Sequence, residues 1–258
     1  MNKQLQDITV LVTRPAHQAE PFCQLVEDAG GKAVRFPVIE IESIALDAAA
    51  REALQQPSDC LIFISANAVR LGIEAINNAA PGRLGQSRIM AIGKATAHEL
   101  ESRGVKPDLV PPSPYNSEAL LAMPEMQNIS DRYYTIIKGK GGRTYLMEQL
   151  RARGGVVNEV DIYVRTKPQQ SNAALKELTE CERVVVSITS VKGLHYLFEM
   201  ASIEQGDWLK QHARFLVPGK RVADAVRDLH IQQAPIVSEN ATDAVMLNSL
   251  LDSVKSDV

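Results

Sequence analysis

Short runs of β-branched and aliphatic residues alternate with amphipathic stretches along the whole chain. Residues 8–13 (Ile-Thr-Val-Leu-Val-Thr) predict a strand. Phe22, Leu25, Val26 and Ala29 then recur at helical spacing, and Gly30-Gly31 supply a C-terminal cap. A second strand is expected over 33–36. Residues 60–64 (Cys-Leu-Ile-Phe-Ile) are apolar throughout, as a strand buried on both faces of a parallel sheet requires. Residues 89–92 repeat that character and run into Gly93. Helical spacing occupies 69–76 and 96–103. Strand–helix alternation of this kind implies a parallel α/β sheet.

The pattern then begins again. Residues 134–137 predict a strand, 144–153 a helix ended by Gly154-Gly155, and 156–160 another strand. Residues 184–188 correspond to 61–64, and 215–217 before Gly219 correspond to 90–92 before Gly93. Gly30 to Gly154 is 124 residues, Ser65 to Ser190 is 125, and Gly93 to Gly219 is 126. Three landmarks in one order at near-constant spacing predict a twofold internal repeat, with about five strands in each half. The expected fold class is α/β, with two doubly wound parallel-sheet domains and a cleft between them.

Two extended segments, 38–42 and 162–166, occupy equivalent places in the halves. If both are crossings, one domain is 1–37 with 168–258, the other is 42–161, and 38–41 and 162–167 are linkers. The residues alone also permit a simpler division near residue 130. Pro111-Pro112-Ser113-Pro114 reads as a rigid loop as well as it reads as a linker.

Composition narrows the classes. Apolar residues are 45% and charged residues 23% of the 258, the balance of a globular protein. A net charge of −3 argues against a dedicated nucleic-acid binder. No run approaches the ~18 apolar residues of a membrane span, and residues 1–7 carry no signal-like apolar region. A cytoplasmic location and a monomer are expected. Cys23, Cys60 and Cys181 form no CxxC pair and read as small core residues in a reducing compartment. There is no GxxxxGK[ST], HExxH or GxSxG. Gly139-Lys140-Gly141-Gly142-Arg143 follows a strand but lacks the dinucleotide spacing. Neither a metal nor a cofactor is expected.

The informative residues stand where strands end and helices begin, the edge where open parallel sheets bind ligands. Arg14 follows the first strand, and Lys138, Gly139 and Arg143 follow its repeat partner. Ser65 and Asn67, with Thr189 and Ser190, follow the third strand of each half. Gly93, Lys94 and Thr96, with Gly219, follow the fourth; Asn116-Ser117 and Thr242 follow the fifth. Helix N-termini at such an edge offer unpaired N–H groups and partial positive charge to carboxylates or phosphates. Taken singly, Ser65, Thr96, Ser117, Ser190 and Thr242 read equally as helix N-caps. Arg14, Lys94 and Lys138, repeated in both halves, favour two edges that grip a large polyanion. Tyr163 lies in an extended segment beside such a cleft. A phenol there can relay a proton, although an unperturbed one titrates at about 10.

The residues that carry a family resemblance span nearly the whole chain. They are Val12-Thr13-Arg14-Pro15, Phe36-Pro37, Leu61 through Val69 with its Ser65-Ala66-Asn67-Ala68-Val69, and Ala91 through Ala97 with Gly93-Lys94-Ala95-Thr96. Asn116 through Leu120, Gly139 through Arg143, and Val160 through Thr166 complete them. In this order the chain resembles the uroporphyrinogen-III synthase family of tetrapyrrole biosynthesis. The resemblance implies two α/β domains on a two-stranded linker, which favours the crossed boundaries. It implies closure of the linear tetrapyrrole hydroxymethylbilane to uroporphyrinogen III, with loss of water, inversion of ring D and no cofactor. The eight carboxylates of that substrate suit a cationic, N–H-rich edge, and folding it for closure is catalysis by positioning. Tyr163 takes the family's tyrosine position as an aid to hydroxyl departure, Thr96 its threonine and Ser65 its serine. Contact with hydroxymethylbilane synthase, the supplier of substrate, is a further expectation. Two departures stand out: Ile64 precedes Ser65 where the family has threonine, and Gly219-Lys220-Arg221-Val222 lacks the second threonine. The other readings are a two-lobed binding module for a small anion and a nucleotide-dependent transferase.

Overall fold

The computed structural model describes residues 4–142 and 144–256. Ten strands are present among them: β1 (Ile8–Val12), β2 (Lys32–Arg35), β3 (Glu40–Ser43), β4 (Cys60–Phe63), β5 (Arg88–Ala91), β6 (Tyr133–Gly139), β7 (Val156–Thr166), β8 (Arg183–Ser187), β9 (Ala213–Pro218) and β10 (Ile236–Ser238). The chain divides into two compact units, Met1–Glu40 with Thr166–Val258, and Ile41–Arg165.

The first unit holds a parallel sheet ordered β10-β9-β8-β1-β2. The second holds β3-β7-β6-β4-β5, in which β7, β6, β4 and β5 run parallel. A parallel bridge between Met90 and Leu109 stands beyond β5, where β10 stands beyond β9. Numbered by the repeat, both units therefore have the order 2-1-3-4-5. Each unit takes its first two strands from one half of the chain and the remaining three from the other half.

Apolar pattern explains why these sheets are covered on both faces. Along β1, Leu11 joins one buried cluster while Val10 and Val12 join another. Along β4, Leu61 and Phe63 face one cluster and Cys60 and Ile62 the other. In the first unit the helices Ala16–Asp28 and Asp243–Ser256 cover one face, and Val191–Met200 and Gly219–Asp228 the other. In the second, Ala66–Ala79 and Lys94–Ser102 cover one face, and Ser117–Ala122 and Tyr145–Ala152 the other. Each fully buried aliphatic side chain stabilises this arrangement by roughly 1.5–3 kcal/mol. Burial also pushes the Cys60 thiol up to about 11.

The strands and helices named from the sequence are present, helices Ala48–Gln55 and Ile203–His212 are additional, and Glu40–Ser43, where a linker was expected over 38–41, is strand β3 of the second sheet. The strand expected over 156–160 continues to Thr166, because Val160, Ile162 and Tyr163 stay buried against the sheet. Close packing on this face depends on Gly72. A Cβ there would lie 2.7 Å from Ile137 Cγ2 and 3.1 Å from Ile162 Cδ1. Alanine would gain up to about 1 kcal/mol of helix propensity but overpack a β-branched neighbour at a cost of about 1–3 kcal/mol. Gly72→Ala is therefore expected to lower stability by about 1 kcal/mol in urea unfolding; a stabilised variant would show that Ile137 yields freely.

Candidate functional site

In the second unit, β4 and β6 are neighbours, yet the helices that follow them lie on opposite faces of the sheet. The chain connections therefore diverge between the two strand ends and leave a crevice there. A pocket of about 220 Å³ lies at this point. Its apolar wall includes Ile64, Ile92, Leu146 and Met147, and its polar side includes Ser117, Lys138, Tyr163 and Arg165 with Gly139, Gly141 and Gly142.

Tyr163 is placed by the backbone. Lys138 pairs with Asp161, but the next residue, Gly139, pairs with Tyr163, so β7 carries one extra residue here. Such a bulge re-aims the side chain that follows it. The Tyr163 ring then lies across Gly139, where a Cβ would stand 2.4 Å from two ring atoms. A glycine is required at this position because a ring occupies the space of its side chain. The Tyr163 hydroxyl is 3.1 Å from Ser65 Oγ and accepts a hydrogen bond of 2.9 Å from Arg165 Nη2. The Arg165 guanidinium also lies over the ring, 5.2 Å from its centroid. Tyr134 is equally buried but its hydroxyl has no hydrogen-bond partner among the described residues, and burial pushes it up to about 12.

The other expected residues of this unit divide by role. Ser65 is a helix N-cap, accepting from the Ala68 N–H at 3.0 Å, while it also meets Tyr163. Thr96 and Ser117 are not N-caps: Gly93 and Asn116 hold those positions, and Asn116 accepts from the Ala119 N–H at 2.8 Å. Thr96 is buried in the first turn, and Ser117 turns to the pocket. Gly93 has extended backbone and sits close to the following loop, where a Cβ would lie 3.1 Å from Tyr115 Cβ. Lys94 is exposed at the first helical position, and Asn67 is buried. Lys138 is buried and ion-paired with Glu159 and Asp161 at 3.3 and 3.1 Å, and Arg151 also pairs with Glu159. Two carboxylates thus already hold the cation expected to meet the substrate. Arg143 lies outside the described residues.

The first unit has the corresponding divergence between β1 and β8. Thr13 Oγ1 donates to the Ser187 carbonyl at 2.6 Å and ties the two strand ends together. Arg14 is buried, ion-paired with Asp243, donates to the Ala241 carbonyl at 3.1 Å and lies over the Phe22 ring at 5.0 Å. It locks the start of the last helix to the first and is no open cation. Ser190 caps its helix by accepting from the Gly193 N–H at 3.0 Å, with Thr189 half-buried before it. Thr242 is no side-chain cap; its hydroxyl donates to Asn240 Oδ1 at 2.6 Å. Gly219 has a φ of 68°, a left-handed conformation suited to glycine. Sequence reasoning passed over Arg165 as a site residue, although its place two residues beyond Tyr163 on a strand put both on one face.

The arrangement defines a class: a two-unit, doubly wound α/β protein whose second unit presents a held phenol in a half-apolar pocket. Such a pocket suits an acid–base step on an organic ring. The family model described as Uroporphyrinogen-III synthase HemD matches residues 20–248. Uroporphyrinogen-III synthase of Salmonella typhimurium is 30% identical over 251 residues, 94% of this chain and 100% of its own length. That of Escherichia coli is 29% identical over 247 residues, with the same coverage of each chain. Among solved structures, uroporphyrinogen III synthase of Thermus thermophilus, a triple mutant, superposes with a TM-score of 0.60 at 21% identity over 97% of this chain and all of its own. The Helicobacter pylori structure gives 0.63 at 13% identity over 95% and 99%. The chain belongs to the uroporphyrinogen-III synthase family.

Two outcomes test this anatomy. Gly139→Ala should displace the Tyr163 ring, since no backbone shift short of undoing the bulge makes 2.4 Å tolerable. A Tyr163 fluorescence or NMR environment unchanged by the substitution would contradict that. Asp243→Ala should cost about 1–3 kcal/mol in unfolding experiments, because it strips a buried guanidinium of its charged partner; a loss under 0.5 kcal/mol, roughly the range of neutral surface changes, would place Arg14 in solvent.

Proposed function

We propose that this chain closes hydroxymethylbilane to uroporphyrinogen III, losing water and inverting ring D. The observation that carries the reading is the family match over residues 20–248, with the Escherichia coli and Salmonella typhimurium relatives matched over their whole length. The pocket supplies fitting chemistry. Its apolar wall can receive a pyrrole ring, while exposed Lys94 and helix N-termini at the same sheet edge can receive carboxylates.

In this reading Tyr163 gives its proton to the departing hydroxyl. The carbon–oxygen bond breaks, its electron pair leaves with the oxygen, and water results. The ring system becomes an electrophilic azafulvene, which ring D attacks through its substituted position to form a spiro intermediate. The bond from that ring D carbon to its original methylene bridge then breaks, the freed methylene bonds to the unsubstituted α-carbon of ring D, and the proton lost from that carbon restores the phenol. Ser65, Asn67, Gly93, Thr96, Ser117, Lys138 and Gly139 in the second unit, and Arg14, Thr189, Ser190, Gly219 and Thr242 in the first, build strand ends that position the substrate, and Arg143 is a further substrate-binding residue by its place in the sequence motif. Arg14 and Lys138 serve through the ion pairs that shape those ends.

We infer a cytoplasmic monomer that takes substrate from hydroxymethylbilane synthase, since the free bilane closes spontaneously to the type I ring. Three unpaired cysteines fit a reducing compartment, and no helix among the described residues is long and apolar enough to cross a membrane.

Chromatographic isomer analysis after mixing the protein with fresh hydroxymethylbilane tests the reading. Mostly type III ring is expected; type I alone from folded protein would sink it. Tyr163→Phe should lower kcat by roughly 10²-fold or more, as loss of a general acid does, with KM changed little. An unchanged kcat would remove Tyr163 from the chemistry.

A further inference from the structure

We propose that Arg165 is the positioning residue for the Tyr163 hydroxyl: its guanidinium fixes the phenol oxygen and stabilises the charge left there when the proton departs. This rests on the cyclisation reading above.

The geometry is specific. Arg165 Nη2 donates to Tyr163 Oη at 2.9 Å while the guanidinium packs over the same ring at 5.2 Å. An arginine cannot accept a hydrogen bond, so this contact leaves the phenol proton free to point elsewhere. The other near neighbour of Oη is Ser65 Oγ, at 3.1 Å. Ser65 Oγ already accepts the Ala68 N–H, and its own hydrogen can be given to Oη. When Ser65 donates as well as Arg165, the phenol proton is left for the pocket that Tyr163 and Arg165 line together. Donors aimed at an oxygen on which negative charge develops act most strongly where water is excluded, and Tyr163 is 1% exposed.

The repeat supplies an internal control. At the offset of 124 that relates Gly30 to Gly154, Tyr163 and Arg165 correspond to Ile39 and Ile41. In the first unit Ser190 still caps its helix at 3.0 Å, with Val38 and Ile39 beside Gly193 of that helix. The cap and the strand crossing are therefore built without a phenol or a guanidinium. The Ser65–Tyr163–Arg165 group is an addition to the fold, made in the unit that has the half-apolar pocket.

A rival role for Arg165 is direct binding of a substrate carboxylate, and a double-mutant cycle separates the two. Initial rates of type III product from fresh hydroxymethylbilane would be measured for the wild type, Arg165→Gln, Arg165→Lys, Tyr163→Phe and the double variant Arg165→Gln/Tyr163→Phe. We expect Arg165→Gln to lower kcat roughly 10- to 100-fold, somewhat less than loss of a full oxyanion donor, with KM within about two-fold. Arg165→Lys should recover part of that loss by restoring the charge. The double variant should turn over no more slowly than Tyr163→Phe alone, because the guanidinium acts through the hydroxyl that phenylalanine lacks. A raised KM at unchanged kcat, or the same loss from Arg165→Gln in the Tyr163→Phe background, would overturn the proposal and assign Arg165 to substrate binding. If Arg165→Gln does not fold, Arg165→Lys takes its place in the cycle with the same two outcomes. Absence of type III product from the wild type would instead defeat the cyclisation reading on which the proposal rests.

Discussion

Parallel pairing between strands from opposite halves of the chain is the constraint on which the rest depends. β1 pairs with β8 across more than 170 residues, and β4 pairs with β6 across more than 70. Each pairing stands at the centre of its sheet, so neither unit has a core until both halves of the chain have contributed. The closure entropy of such non-local contacts is substantial, and only burial on both sheet faces offsets it. The continuous apolar character of β4 and β8 follows from this position.

The same pairings create the site. In each unit the seam between chain halves is also the place where successive helices turn to opposite faces, so strand ends from distant sequence converge there. Ser65 comes from one half and Tyr163 from the other, and they meet because β4 lies beside β6 and β6 beside β7. The repeat has not produced two equal sites. Beside one seam Arg14 is bound to Asp243 and lies over Phe22, which ties the last helix to the first. At the other, the repeat-equivalent cation, Lys138, is drawn into carboxylates on β7, and Gly139 beside it makes room for an aromatic ring.

Charge illustrates how burial changes a residue's meaning. Arg14 and Lys138 are cations at a ligand-binding edge, and by pattern alone both suit a polyanion. Their surroundings instead satisfy them internally, because a buried charge without a partner is far costlier than an exposed one. Lys94 differs from both in staying exposed, at a helix start. Thr96 and Ser117 likewise looked like caps from composition, while the caps fall one to three residues earlier, at Gly93 and Asn116.

By itself the sequence determined the elements, the twofold repeat, the parallel α/β class and the edge on which the polar residues gather. These follow from periodicity and turn chemistry, which act over a few residues. It also placed Tyr163 and Ser65 among the residues of interest, through their resemblance to a family pattern. Tertiary structure decided which cations are spent in ion pairs, which hydroxyl caps a helix, and that a one-residue bulge carries Tyr163 over Gly139 into contact with Ser65 and Arg165. Those outcomes depend on register and burial between strands far apart in the chain. No local pattern of residues encodes them, because a one-residue shift in pairing leaves the pattern intact and moves the side chain to another place.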